Sequence, residues 1–119
     1  MSTSENLKLV ELSIEQANEA IALAEALKRL HKNKDFKLLI TEGYFKEESA
    51  RVVILRADPE MASDEGQKQV NDIITSIGGL YAYFHKVFYM GNQAHKSLLE
   101  DENERNLLLG EQLGEDSIQ

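Results

Sequence analysis

Between Gly66 and Leu98 the apolar residues fall at alternating steps of three and four. They are Val70, Ile73, Ile77, Leu80, Phe84, Val87, Ala94 and Leu98, with Gly91 holding the place between Val87 and Ala94. This is the a/d spacing of a coiled coil, sustained for about four heptads. A second row, Ile74, Tyr81, Phe88 and His95, repeats every seven residues beside the first. Together the rows make a face wider than a two-stranded zipper uses, as in a helix with more than one neighbour. One helix cannot bury such a face alone. The pattern therefore predicts one long C-terminal helix, about 64–107, that packs on the rest of the chain and on further copies of it. Asp64 or Ser63 is placed to cap it, with Gln67 three residues after Asp64. Gly78-Gly79 is its weak point, at about 1 kcal/mol per glycine relative to alanine. The pair reads as a kink or as the close approach of another backbone.

Upstream, Ser13 with Gln16 three residues later has the form of a capping box. Ile14, Ala17, Ile21, Ala24, Leu27 and Leu30 then carry an apolar stripe. These signals predict an N-terminal helix, about 14–31, whose alanines let a neighbour come close and whose basic end suits the negative pole of the helix dipole. Before it, Leu7, Leu9, Val10 and Leu12 are too dense for a solvated tail, so part of residues 1–12 is expected to dock as an extended arm or early helical turn. Asp35 reads as the N-cap of a short helix, about 36–42, closed by Gly43 in the left-handed C′ position. Residues 45–57 are ambiguous. Val52 to Leu55 is β-branched enough for a strand, yet Phe45, Val52 and Leu55 also serve a buried helix. A second short helix, about 45–57, is expected, because no matching strand exists elsewhere to pair with. Asp58-Pro59 ends it. The fold class that follows is all-α: the long helix packed against the N-terminal helix and the two shorter ones, as a helical hairpin or bundle. Residues 1–109 form a single helical domain, and 110–119, with Gly110, Gly114 and acids, an acidic flexible tail.

Composition agrees with this pattern. The chain has 119 residues, 42% of them hydrophobic, with one proline, seven glycines and no cysteine. That suits a single helical domain and excludes disulfide and thiolate chemistry. The charge of −8 is unevenly placed. Residues 100–119 hold seven acids against Arg105, which is −6 of the −8. Lys28, Arg29, Lys32, Lys34 and Lys37 stand against Asp35, a local +4. The overall acidity argues against nucleic acid as a partner. The polar start, Met1 to Lys8, lacks the form of a signal peptide, and no run approaches a membrane span. The expected protein is soluble and intracellular, neither secreted nor membrane-bound.

Candidate chemistry is sparse. His31, His85 and His95 are not spaced as metal ligands, and no phosphate-binding loop or nucleophile motif is present. Asp58, Glu60, Asp64 and Glu65 form an acidic linker that could hold a hard cation, but their spacing is not that of an EF-hand. Paired carboxylates for acid–base work are not visible in the pattern. No catalytic residue, metal or cofactor is assigned, and a non-enzymatic protein is expected. Tyr81, Tyr83, Phe84, Phe88, Tyr89 and Met90 crowd one part of the long helix. Aromatic residues anchor interfaces, so the candidate protein interface is Ile73, Ile77, Leu80, Tyr81, Phe84, Phe88 and Tyr89. Phe84, Tyr81 and Phe88 also fit a plain core role.

Lys34-Asp35-Phe36-Lys37-Leu38-Leu39-Ile40-Thr41-Glu42-Gly43-Tyr44-Phe45-Lys46-Glu47-Glu48 and Ile77-Gly78-Gly79-Leu80-Tyr81-Ala82-Tyr83-Phe84 resemble segments of small helical proteins encoded by tailed bacteriophages. The similarity spans about Leu27 to Glu102. It implies a phage setting and carries over no catalytic residue. Two functions fit. The first is a non-enzymatic phage assembly or structural protein that oligomerises through its helices, as a homo-oligomer or with other phage structural proteins. The basic segment of one copy would meet the acidic end of the next. The alternative is a small acidic phage protein that binds and inhibits or redirects a host protein. Against that alternative, acids on a flexible tail would not hold fixed spacing.

Overall fold

The computed structural model describes residues 2–118, and among them every regular element is helical. Helix α1 runs Thr3–Lys32 and helix α2 Lys34–Phe36. A π-helical segment, Lys37–Glu48, leads into α3, Ser49–Arg56. A 3₁₀ turn, Pro59–Met61, precedes α4, Asp64–Ile118. The expected all-α class holds, with the long C-terminal helix packed against the N-terminal one. The chain forms two compact units, residues 2–25 with 87–118, and residues 26–86.

In the first unit α1 and α4 run antiparallel. Thr3 Oγ1 donates to Glu115 at 2.8 Å, Arg105 pairs with Glu11 at 3.6 Å, and Ser13 Oγ donates to the Asp101 carboxylate. Ascending numbers on α1 meet descending ones on α4. The buried positions on α4 keep the 3–4 rhythm through Val87, Gly91 and Ala94 and on to Leu108. Val10, Ile14 and Leu108 form a core with Leu7 and Leu98 around it. Small residues let the helices close: Ala17, Ala24 and Ala94 are buried. At Gly91 even a methyl group would overlap the Ala24 Cβ.

The second unit joins the end of α1, the α2–α3 stretch and the start of α4. Val70 is wholly buried and Val52 nearly so, packed with Ile77 and flanked by Tyr44, Phe45, Leu55, Met61 and Ile73. Residues 34–56 are one continuous helical run. Lys37 and Ser49 at its internal junctions have right-handed helical φ/ψ of −59°/−44° and −60°/−43°. The side that avoids solvent recurs as Phe36, Ile40/Thr41, Tyr44/Phe45, Glu48/Ser49 and then Val52 and Leu55. Steps of four and more through the π-helical part, then three, match a turn wider than an α-helix's. The wider turn keeps bulky residues on one side that 3.6-residue spacing would rotate away.

Several sequence expectations are corrected. The N-terminal helix starts at Thr3, not near 14, so residues 3–12 are helical and dock through Leu7 and Val10. Ser13 is no cap; its hydroxyl serves Asp101. Asn33, not Asp35, caps α2, accepting from the Phe36 N–H at 3.0 Å. The two short helices are one run. Gly43 is not left-handed; among the described residues no glycine has positive φ. A side chain there would meet the Leu38 carbonyl oxygen at 2.8 Å. Of the two caps expected for α4, Ser63 and not Asp64 holds the place, accepting from the Gly66 N–H at 3.0 Å, while Gln67 Nε2 donates to the Met61 carbonyl at 2.7 Å. Gly78 and Gly79 face open space, with no other backbone within 4 Å, and the helix passes through them. Finally, α4 does not end near 107; residues 110–118, expected as a tail, are helical.

These glycines make a paired prediction. Gly91→Ala should lower stability in urea unfolding by about 1–3 kcal/mol, the usual cost of overpacking, and Ala24→Gly in the same chain should recover part of it. Gly78→Ala or Gly79→Ala should raise stability by about 0.8–1 kcal/mol, because nothing opposes the added methyl and the backbone entropy cost falls.

Candidate protein-interaction surface

The predicted interface residues divide. Ile77 is buried, and Ile73 packs on the Val52–Val70–Ile77 core. Phe84 lies in an aromatic cluster. Its ring centroid is 5.9 Å from those of His31 and Phe36 and 5.8 Å from that of Phe45, mostly in tilted or edge-on geometry. Leu80 and Phe88 are half-buried. Tyr81 meets Phe45 edge to face at 5.4 Å and His85 at a tilt at 4.8 Å, yet stays half in solvent. Tyr89 is the most exposed of the seven, at 65%. The structure thus uses Ile73, Ile77 and Phe84 inside the chain and leaves Tyr81 and Tyr89 outward.

His31 shows how the cluster is fixed. Its Nδ1 is 2.9 Å from the Leu27 carbonyl oxygen. A carbonyl only accepts, so Nδ1 carries the proton. The ring is held at the end of α1, where Phe36 meets it at 5.2 Å. The one-residue corner at Asn33, extended at φ −70°, ψ 129°, turns the chain so that Phe36 can do this.

The polar groups perform structural work. Asp58 Oδ1 accepts from the Glu60 N–H at 2.9 Å, which makes it a turn cap. Among the described residues no three His, Cys, Asp or Glu side chains gather as a ligand set. Arg51 donates twice to the Glu48 carboxylate. That hydrogen bonding, with the charge of Arg51, holds the Glu48 carboxyl below the usual carboxylate range and raises the Arg51 guanidinium. A depressed acid lends its stabilisation above the unfolded-state value and loses it as pH falls through the folded one. The pair is therefore intact at neutral pH and fails only in acid; lying at the surface, it contributes little.

What the surface offers is apolar. In the second unit Leu38, Leu39, Val53, Ile54, Tyr81 and Tyr83 are exposed, and Ile74 is more than a third exposed. In the first unit Leu9, Leu12, Leu23, Tyr89, Leu99, Leu107 and Leu113 each show half or more of their surface to solvent. A shallow groove between α1 and α4 is lined by the small residues Ala17, Ala20, Ala94 and Ser97 together with Tyr89 and Met90. The basic positions Arg29, Lys32, Lys34 and Lys37 are exposed, as are most of the acids beyond residue 100. Among the described residues no helix is long and apolar enough to cross a membrane. Comparison with protein-family models, curated proteins and solved structures gives no match.

One buried group is unsatisfied. Thr41 Oγ1, in the π-helical segment, is out of solvent with no hydrogen-bond partner. Such a hydroxyl costs about 1–3 kcal/mol. Thr41→Val keeps the shape and removes the unpaired group, so it should raise the urea midpoint. Thr41→Ala, which leaves a void, should not.

Proposed function

We propose that the protein is a non-enzymatic assembly or structural component of a tailed bacteriophage that acts by self-association through its helices. The observation that carries this reading is the apolar surface left after each unit has closed its own core. Contiguous exposed apolar surface marks interaction sites, and the exposed leucines of α1 and α4 supply the side chains for it. Each large side chain buried on association contributes about 1.5–3 kcal/mol, so a handful suffices for a stable oligomer. The phage setting rests on the resemblance carried by residues 34–48 and 77–84. The polarised charge, basic at 28–37 and acidic beyond 100, would orient one copy on another and set specificity more than affinity.

A second reading, a protein that binds and inhibits or redirects a host protein, is favoured by one observation. The acids from Glu100 to Asp116 lie on a continuous helix. Their spacing is therefore regular, at 1.5 Å rise per residue, and the objection that a flexible tail cannot present fixed charge no longer applies. Pull-down from host lysate giving one stoichiometric partner, with no self-association, would favour it.

Sedimentation over a concentration series tests the first reading. Mass above the monomer, rising with concentration, is expected; a monomer throughout rejects it. Ile77→Asp should abolish cooperative unfolding and assembly together, since it buries a charge in the core. Tyr89→Ala should weaken association while leaving the unfolding midpoint within about 0.5 kcal/mol of the parent.

A further inference from the structure

Helix α1 carries an apolar row and, opposite it, a second row of three leucines with a polar middle. One, Leu7, Val10, Ile14, Ala17, Ile21 and Ala24, sits at 3–4 steps and contains the buried and half-buried positions turned to α4. The other is the same row displaced by two residues: Leu9, Leu12, Gln16, Glu19 and Leu23. Two residues turn a helix by about 200°, so this row lies on the opposite side. Leu9, Leu12 and Leu23 are 51%, 50% and 56% exposed, and Gln16 and Glu19 are exposed as well. A helix with a 3–4 row on each of two opposite faces is built to stand between two neighbours, and α4 is only one of them.

We infer that the second neighbour is α1 of another copy of this chain, packed antiparallel about a two-fold axis. This rests on the self-association proposed above and assigns its surface. The row is complementary to itself in one register. In antiparallel packing the two kinds of seam position alternate across the interface. If Leu12 faces Leu23 of the second copy, then Leu23 faces its Leu12, and Gln16 and Glu19 fall opposite each other. Leucine meets leucine. The polar middle pairs an amide donor with a carboxylate acceptor, twice by symmetry, as a two-fold interface requires. Polar pairs at seam positions are a known means of fixing register. A parallel arrangement would instead set Glu19 against Glu19, two like charges at a closing interface.

Charge at the ends of α1 favours the same direction. Its last turn carries Arg29 and Lys32. Its first turn carries Glu5. An antiparallel pair places the basic end of one α1 by the acidic end of the other copy, at both ends of the interface. Parallel packing would put basic on basic.

The chain has no cysteine, so introduced thiols are unique. Leu12→Cys and Leu23→Cys variants of the full chain, alone and mixed, would be treated with a short bismaleimide. In the proposed register identical positions are offset by eleven residues, about 16 Å along the helix, beyond such a linker. Cross-linked dimer is therefore expected in the mixture and not in either variant alone. Leu12→Glu should weaken dimerisation by about tenfold or more, with the unfolding midpoint of the monomer unchanged. Cross-linking of each variant with itself would overturn the antiparallel assignment. An oligomer that persists with no cross-link and ignores Leu12→Glu would overturn α1 as the surface and leave self-association standing. A monomer at every concentration would overturn both.

Discussion

Covering the 3–4 row of α4 is the constraint on which the structure depends. An apolar stripe repeated at heptad spacing is stable only against another helix, and how closely that helix approaches depends on side-chain size along the contact. In the first unit the contact is narrowed by Ala17, Ala24, Gly91 and Ala94. Close backbones gain dispersion contacts in place of side-chain volume, and they tolerate little change. The same closeness limits what is covered. Two helices in contact each bury one stripe, and every apolar residue off that stripe stays in water.

The second unit meets the constraint differently. There the cover for α4 is a run that would lose its phase if it were α-helical throughout. The π-helical turns from Lys37 to Glu48 keep Phe36, Phe45 and Val52 on a common side. The accompanying defects are an unpaired Thr41 hydroxyl and a position, Gly43, where any side chain would crowd the Leu38 carbonyl. Aromatic packing offsets them. Phe84 touches His31, Phe36 and Phe45 together, so one ring on α4 ties two other segments in place.

How far these features could be read from the residues depended on whether a local signal competed with a distant one. The long seam, the stop at Asp58-Pro59 and the Ser63 cap were legible, because each is decided within a few residues. Ser13 and Gln16 formed a sound local capping box and misled, because Asp101, 88 positions away, takes the Ser13 hydroxyl in the fold. The end of α4 was hidden for a related reason. Asp101 and Arg105 occupy seam positions, look like solvated tail, and are satisfied by Ser13 and Glu11 across the hairpin. The interface residues show a different ambiguity. A heptad row does not say whether its cover is the same chain or another, so Ile73, Ile77 and Phe84 pointed to association and lie inside. Gln16 and Glu19 interrupt the outer row of α1, so no unbroken apolar period marks it in the sequence. Only once α4 is seen on the other side does the remaining face become visible.

Net charge and its distribution act in opposite senses here. A charge of −8 disfavours any encounter between copies that ignores orientation, which keeps leucine-rich surfaces from sticking at random. Polarity of the same charge lowers that barrier for orientations that bring basic turns to acidic ones. Exposed apolar area alone would predict aggregation. Exposed apolar area under a net repulsion, relieved in one orientation, suits the self-association proposed above. The helical continuation of α4 to Ile118 strengthens this argument, since acids fixed on a helix repel and attract in set directions, whereas a mobile tail would average them away.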